Sequence, residues 1–151
     1  LAALLHRRRR RLVHQPRRGA RQPLVRLVAR AGSQQPLERR RERLDPRADE
    51  LLARLAQALR GQIALGGEVS VIGHGDNAPP ASLQFSTGWH LTRAQAQAVA
   101  DALVAHRVAP ARAEGRAEFE PRAPNTTPAG RAQNRRIEIE LRLPRPDEVA
   151  P

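Results

Sequence analysis

The 151-residue sequence lacks cysteine and lysine, and it contains only three aromatic residues, one Trp and two Phe. Without cysteine, the chain can form no disulfide, no thiolate nucleophile and no cysteine-based metal site. No run approaches 18 apolar residues and no signal-peptide pattern opens the chain, so we expect any export signal or membrane anchor to lie upstream of Leu1. The length and the 40% hydrophobic content are typical of one domain with one core.

The positive charge is concentrated in the N-terminal part. All 27 basic residues are arginines, and residues 1–45 hold 14 of them against three acids. From Pro46 onward, 13 arginines face 12 acids, so the net charge of +12 belongs mainly to an arginine-rich leader. We expect this leader to be disordered unless a partner orders it. Because no aromatic residues interleave with its arginines for base stacking, we do not expect nucleic acid as a partner.

Two amphipathic helices are predicted. Asp45 is a good N-cap and Pro46 suits the first helical position, so the first helix is predicted from Pro46 to Arg60, with Gly61 as its stop. Its apolar stripe is Leu52, Leu55 and Leu59. Thr92 opens a capping box and predicts the start of the second helix. The buried stripe predicted there consists of Leu91, Ala94, Ala98, Val99, Ala102 and Leu103.

Alternating apolar and polar residues predict strands at 68–74, 112–116 and 137–141. Leu24 to Val28 can form at most one edge strand, and Pro128 to Asn134 predicts a turn or a single helical turn. The order of these elements predicts an α+β fold in which helices pack on one face of a small mixed sheet.

Polar residues follow the strand at 68–74. His74, Asp76 and Asn77 stand at its carboxyl end, where ligands gather in layered folds of helices and sheets. No second metal ligand stands at a suitable spacing from His74 and no nucleophile motif is present, so a structural or hydrogen-bonding His74 is favoured over a catalytic one. We predict no metal and no cofactor. Phe85 and Trp89 could stack on a ligand, but packing of the loop against the next helix is favoured.

Three motifs are similar to those of the OmpA/MotB-like C-terminal peptidoglycan-binding domain. They are Gly73 to Asp76, Leu91 to Val99 and, above all, Asn125 to Ile139. A Phe-x-x-x-Trp-His-Leu variant at Phe85 to Leu91 most resembles the OmpA-like extension of TssL proteins of type VI secretion, with flagellar MotB-like proteins as near relatives.

The resemblance implies a βαβαβ-type OmpA-like layer over residues 44–143. Residues 1–43 then form the leader, and residues 144–151 form a loose tail. Members of the family carry an apolar first strand just before the first helix, whereas residues 34–43 here are polar. Three explanations stay open: Leu24 to Val28 supplies the strand, a partner supplies it, or the leader was read from a shifted frame.

The resemblance also implies a ligand site for the diaminopimelate-type stem peptide. The residues that it assigns are Asp76, Asn77, Leu91, Gln95, Arg131 and Arg135. In the family an aspartate binds the ammonium of the ligand and an arginine binds its carboxylate. Asp76 matches the first role, whereas Gln95 stands at the position of the arginine and Gly88 at that of a family asparagine.

The role of the basic turn is left open. Arg131 and Arg135 could bind ligand carboxylates, or they could be structural, pairing with Glu138 or capping backbone carbonyls. For a working ligand site, we expect Asp76 to face these two arginines across a cleft of the size of a stem peptide.

The leading hypothesis is a non-catalytic, periplasmic module that binds peptidoglycan and anchors an envelope or type VI secretion complex, with its membrane anchor upstream. Its expected partners are peptidoglycan and subunits of that complex, and a homodimer is left open. The alternative is a degenerate OmpA-like domain that serves dimerisation or protein assembly, which Gln95 and Gly88 favour. Enzymatic turnover of cell wall is disfavoured, since the sequence shows no paired carboxylates, zinc ligands or nucleophile motif.

Overall fold

A four-stranded mixed sheet forms the centre of the computed structural model, which describes residues 24–30, 46–80, 85–110 and 112–144. The elements are β1 (Leu24–Arg30), α1 (Pro46–Ala64), β2 (Glu68–His74), α2 (Gly88–Ala105), β3 (Arg112–Gly115), α3 (Pro128–Asn134) and β4 (Arg136–Arg142). The strand order is β1-β4-β2-β3, with β2 and β3 parallel and the other neighbours antiparallel. This arrangement confirms the predicted α+β fold.

The hydrophobic core lies between one face of the sheet and the helices α1 and α2. Alternation along β2 and β4 places aliphatic side chains on this inner face, where Val71 stands opposite Ile139 and Val69 opposite Leu141. The buried core residues on the sheet and the helices are Ala56, Leu59, Val69, Val71, Ala96, Ala100, Leu103, Val108, Ile137, Ile139 and Leu141. Helices therefore pack on one face of the sheet, as the sequence predicts.

Helix α1 is longer than the sequence predicts. It continues through Gly61 to Ala64, because Gly61 is exposed and the extra turn packs Ile63 against the core. The actual stop is Gly66, whose φ of 92° is open to glycine without strain and whose N–H donates to the Ile63 carbonyl at 2.9 Å. The prediction of Gly61 as the stop was wrong because a single exposed glycine costs less than the burial gained beyond it.

Helix α2 begins one turn earlier than predicted. Thr87 is its N-cap and accepts the His90 N–H at 3.3 Å, so Thr92 is not the cap. Thr92 is instead buried, donating its hydroxyl to the Gly88 carbonyl at 2.7 Å and accepting the Ala117 N–H at 3.2 Å. The predicted buried stripe was therefore out of phase. The fully buried positions of α2 are Thr92, Ala96, Ala100 and Leu103, and Leu103 alone of these belongs to the predicted set.

Two glycines allow α2 to approach the sheet closely. A Cβ on Gly73 would lie 2.1 Å from the Thr92 carbonyl oxygen, and a Cβ on Gly115 would lie 2.6 Å from the Thr92 hydroxyl. Both positions therefore require glycine. The close approach brings the first turns of α2 next to the carboxyl ends of β2 and β3.

The chain's own β1 completes the sheet. All seven of its residues pair with β4, from Leu24 opposite Arg142 to Arg30 opposite Arg136. Of the three explanations for the unusual leader, the structure thus shows the strand supplied from Leu24–Arg30, at the edge where the sequence places one. Its apolar residues stay 43 to 48% exposed, so β1 adds hydrogen bonds more than core.

Several predictions fall outside the described residues. They concern Asp45 as the N-cap of α1, most of the arginine-rich leader, the middle of the loop before α2 at 81–84 and the tail from 145 onward. Within the described part of the chain, none of the helices has the length and apolar character needed to cross a membrane.

Candidate functional site

Asp76 follows the end of β2 as a buried carboxylate. The Gly75 N–H donates to the Ala117 carbonyl at 2.7 Å, which turns the chain so that the Asp76 side chain is only 1% exposed. One carboxylate oxygen, Oδ1, accepts the Ala78 N–H at 3.1 Å. The other, Oδ2, accepts from Nη1 of Arg135 at 2.5 Å. A charge-assisted hydrogen bond of this kind compensates for the burial of the carboxylate.

Arg135 stands at the C-terminal end of α3. Its backbone N–H donates to the Arg131 carbonyl at 3.1 Å, and its side chain is 26% exposed. Its Nε is buried and has no hydrogen-bond partner among the described residues. Arg135 therefore contacts Asp76 directly, and no cleft separates them, which corrects the expected arrangement. The structural alternative of a pair with Glu138 was also wrong, because Arg136 occupies that position.

The loop before α3 holds the basic turn in place. Arg131 donates from Nη1 to the Asn125 carbonyl at 2.9 Å, so it caps a backbone carbonyl, one of the two structural roles predicted for the basic turn. Asn134 is fully buried, and its Oδ1 accepts the N–H groups of Arg122 and Ala123 at 2.7 and 2.9 Å. Its Nδ2 donates to Ala123 and to the Asn125 side chain, both at 2.8 Å. Every polar atom of this amide is thus used in fixing the loop.

Asn134 is the positioning residue that sequence reasoning missed. It lies within the long motif that carries the family resemblance, which is the signal that could have found it. Gly130 has a related role, because a Cβ there would lie 1.9 Å from the Pro124 carbonyl oxygen. The motif therefore encodes the path of the loop, and the loop in turn places Arg131 and Arg135 at the end of β2.

The other predicted site residues are less closely joined. Asn77 is exposed directly after Asp76, and Leu91 and Gln95 are half-buried on α2. Thr92, between Leu91 and Gln95, connects the helix to this site, because its methyl group would lie 3.3 Å from a Cβ on Gly75. At Gly88 a Cβ would meet Ala117 at 3.3 Å, so the residue that replaces the family asparagine is packed against the loop after β3.

The opposite, outer face of the sheet carries a second buried carboxylate, Glu138. Its side chain is 2% exposed and accepts from Nε of Arg136 at 2.7 Å, and it forms an ion pair with Nε of Arg26 at 3.0 Å. Arg122 lies 3.6 Å away. Burial alone would raise the pKa of Glu138, but the hydrogen bond and charge of Arg136, with a smaller contribution from the charge of Arg26, lower it below its usual value.

His74 is buried beside this carboxylate. Its Nε2 lies 3.8 Å from Glu138, and neither ring nitrogen has a hydrogen-bond partner among the described residues. Burial, together with the Arg136 charge, lowers the pKa of His74 despite the opposing charge of Glu138. The imidazole is therefore neutral at pH 7. In the described residues no group of three or more His, Cys, Asp or Glu side chains could hold a metal ion.

Comparisons with known proteins support the resemblance seen in the sequence. The profile of the OmpA family matches residues 38–135. Motility protein B of Bacillus subtilis (strain 168) is 36% identical over 80 residues, which cover 51% of this chain and only 30% of that protein.

Two solved structures have similar folds. The cell wall anchor of the T6SS from Pseudomonas aeruginosa matches with a TM-score of 0.64 and 36% identity, covering 80% of this chain and 82% of that one. A putative MotB like protein from Desulfovibrio vulgaris matches with a TM-score of 0.66 and 23% identity, covering 80% and 76%, and shows the fold alone. With the family profile matching well over half of its length, the chain belongs to the OmpA family.

Proposed function

We propose that this domain binds peptidoglycan non-covalently through its stem peptide and anchors an envelope or secretion complex to the cell wall. A supporting relative is the cell wall anchor of the T6SS, which is 36% identical over a match that covers 82% of that chain. The observation that carries the proposal is the Asp76–Arg135 pair at the end of β2. The domain would comprise residues 44–143, with β1 of the arginine-rich leader added to its sheet. It would lie in the periplasm and act without catalysis.

The charges of this pair complement those of a diaminopimelate end, which carries an ammonium and a carboxylate. We expect the ligand to replace the internal Asp76–Arg135 pair with two new ones. Its ammonium would pair with Asp76, and its carboxylate would pair with Arg135. A carboxylate has about four lone-pair sites, so Asp76 can take the ammonium while it keeps the Ala78 N–H. Arg135 is suited to the second contact, because its guanidinium is partly exposed and its Nε is unused among the described residues.

Gln95 sets the expected strength of this interaction. It can donate hydrogen bonds but brings no charge, and a charge-assisted contact contributes roughly 1.5 to 3 kcal/mol, or about 10- to 150-fold in affinity. We therefore expect weaker binding than in relatives that have arginine at this position.

A second candidate function is protein assembly without cell-wall binding. The observation that favours it is β1, an edge strand with apolar residues exposed on both faces: Leu24, Val25, Leu27 and Val28 are 43 to 48% exposed. Such a strand is suited to pairing with another chain. Gln95 and Gly88 also favour this alternative, because both depart from the family's ligand site.

A pull-down on purified diaminopimelate-type peptidoglycan, at low and high salt, separates the two functions. We expect retention at high salt that falls with Asp76→Asn and rises with Gln95→Arg. Asp101→Asn is the matched control, because it removes an exposed carboxylate of α2 outside the site. If retention disappears at high salt and is unchanged in Asp76→Asn, the binding belongs to the arginine-rich leader, and the assembly function is favoured.

A further inference from the structure

The surface next to the candidate site carries an exposed pair of aromatic rings. Trp89 is 46% exposed and Phe119 is 65% exposed, and their ring centroids lie 5.8 Å apart at an interplanar angle of 32°. The chain has only three aromatic residues, while the buried core of the described residues is built from aliphatic side chains. Two of the three aromatic rings thus form a contiguous exposed apolar patch outside the core, and such patches are where ligands or partners bind.

The pair is continuous with the end of β2. Ala117 accepts the Gly75 N–H at 2.7 Å, one residue before Asp76, and donates its own N–H to Thr92 at 3.2 Å. Phe119 follows Ala117 by two residues, and Trp89 lies in the first turn of α2, one turn before Thr92. Both rings therefore lie on chain segments that are joined by hydrogen bonds to the end of β2, where Asp76 stands.

The chemistry of the rings fits a sugar better than the stem peptide. Stem peptides consist mostly of small and charged residues, which offer little apolar surface to two large rings. The glycan to which they are joined consists of pyranose rings, whose C–H groups form apolar faces that suit the negative face of an aromatic ring. Glu118 precedes Phe119, and its Oε2 lies 3.5 Å from a Cβ on Gly88, the residue before Trp89; this carboxylate can accept from a sugar hydroxyl.

We propose that Trp89 and Phe119 form a stacking site for a pyranose ring of the glycan strand, with Glu118 as the acceptor for one of its hydroxyls. This inference rests on the proposed function, because it extends the ligand from the stem peptide to the sugar that bears it. The domain would then recognise the junction of glycan and peptide, with the aromatic rings on the glycan and the Asp76–Arg135 pair on the peptide.

The test uses Trp89 itself, the only tryptophan in the chain, as a fluorescent reporter. The full chain is titrated separately with peptide-free glycan strands, obtained by removing the stems with an amidase, and with a soluble diaminopimelate stem peptide. We expect the glycan strands to shift the Trp89 emission with a midpoint about 10-fold weaker in Phe119→Ala, as expected for one lost ring contact. Leu65→Ala is the matched control, because Leu65 is 56% exposed and lies in the turn after α1.

The outcomes separate the inference from the proposed function. Asp76→Asn should weaken binding of the stem peptide and leave the midpoint of the glycan titration unchanged. Glycan strands that give no response, or one unaltered by Phe119→Ala, overturn the inference even where the stem peptide binds. A response to glycan without any binding of the stem peptide overturns the recognition of the stem peptide in the proposed function and leaves the glycan contact standing. If Phe119→Ala instead abolishes self-association in sedimentation and glycan has no effect, the rings contact a second copy and the inference is wrong.

Discussion

Two buried carboxylates, Asp76 and Glu138, differ in the exposure of the arginine that pairs most closely with each. Both side chains are at most 2% exposed. Glu138 lies within 4 Å of three arginines and a histidine, and its closest partner Arg136 is itself only 4% exposed. Asp76 pairs with Arg135, which is 26% exposed and retains an unused donor among the described residues. Glu138 and its partners form a saturated cluster, because the closest arginine is buried with the carboxylate, and such a cluster is typical of a structural role. Asp76 and Arg135 form a half-open pair, because the arginine is partly exposed and can also contact a ligand.

The largest expected effect comes from breaking the saturated cluster. Glu138→Gln leaves the buried Arg136 guanidinium without its carboxylate, so the free energy of unfolding should fall by about 3 to 5 kcal/mol. Urea denaturation measures this. Glu140→Gln is the control, since Glu140 pairs with the exposed Arg26 and its loss should cost about 1 kcal/mol or less. Equal losses for the two variants would contradict the distinction.

Breaking the half-open pair should cost less stability and more function. Asp76→Asn keeps the size of the side chain and an acceptor for the Ala78 N–H, while Arg135 can turn to solvent. We expect a loss of about 1 to 3 kcal/mol in the free energy of unfolding. The same variant should lose retention on peptidoglycan. A loss of stability as large as that of Glu138→Gln, with retention intact, would mean that both carboxylates are structural.

Acid should act on the saturated cluster through His74. Because the pKa of His74 is lower in the folded state than its usual 6.5, the unfolded chain binds the proton first as the pH falls. The contribution of His74 is therefore complete above pH 6.5 and is lost as the pH falls from there towards its folded pKa. Between these two pKa values, the free energy of unfolding should fall by up to about 1.4 kcal/mol for each pH unit. His74→Gln should flatten this part of the stability profile, and His90→Gln, at an exposed imidazole, is the control.

The smallest expected effect lies away from both carboxylates. Gly61 is an exposed position inside α1, and a Cβ there would meet no atom within 4 Å. Gly61→Ala should stabilise the domain by about 0.5 to 1 kcal/mol without altering ligand binding. Thermal unfolding measures the gain. A destabilised variant would show that the helix is not continuous through this position.

Local sequence patterns predicted where helices and strands lie better than which face of each is buried. Alternation along Ile137, Ile139 and Leu141 identified β4 and its inner face, because a two-residue period needs no knowledge of the rest of the chain. The buried face of α2 was mispredicted because Thr92 resembles a cap, and two glycines on other strands decide that it is buried.

The candidate site was only partly predictable for the same reason. The motif placed Asp76 and Arg135 at the ends of their strand and helix, but at a sequence separation of 59 the sequence does not show which arginine reaches the carboxylate. Three arginines, at 131, 135 and 136, lie within six residues from α3 to the start of β4, and in the structure one contacts a backbone carbonyl, one Asp76 and one Glu138. The alternation along β4 also predicted a solvent-exposed outer face, so it gave no sign that Glu138 on that face is buried.

The antiparallel pairing of β1 with β4 has a mechanical consequence. Leu24 pairs at the Arg142 end of β4, whereas Asp76 follows His74 at the Arg136 end. If the domain anchors a complex to the cell wall, the chain before β1 would pull on Leu24, and the wall would hold the domain at Asp76, at the opposite end of the sheet. The pull then runs along the strand, so the hydrogen bonds between β1 and β4 are loaded in shear together and do not unzip one after another.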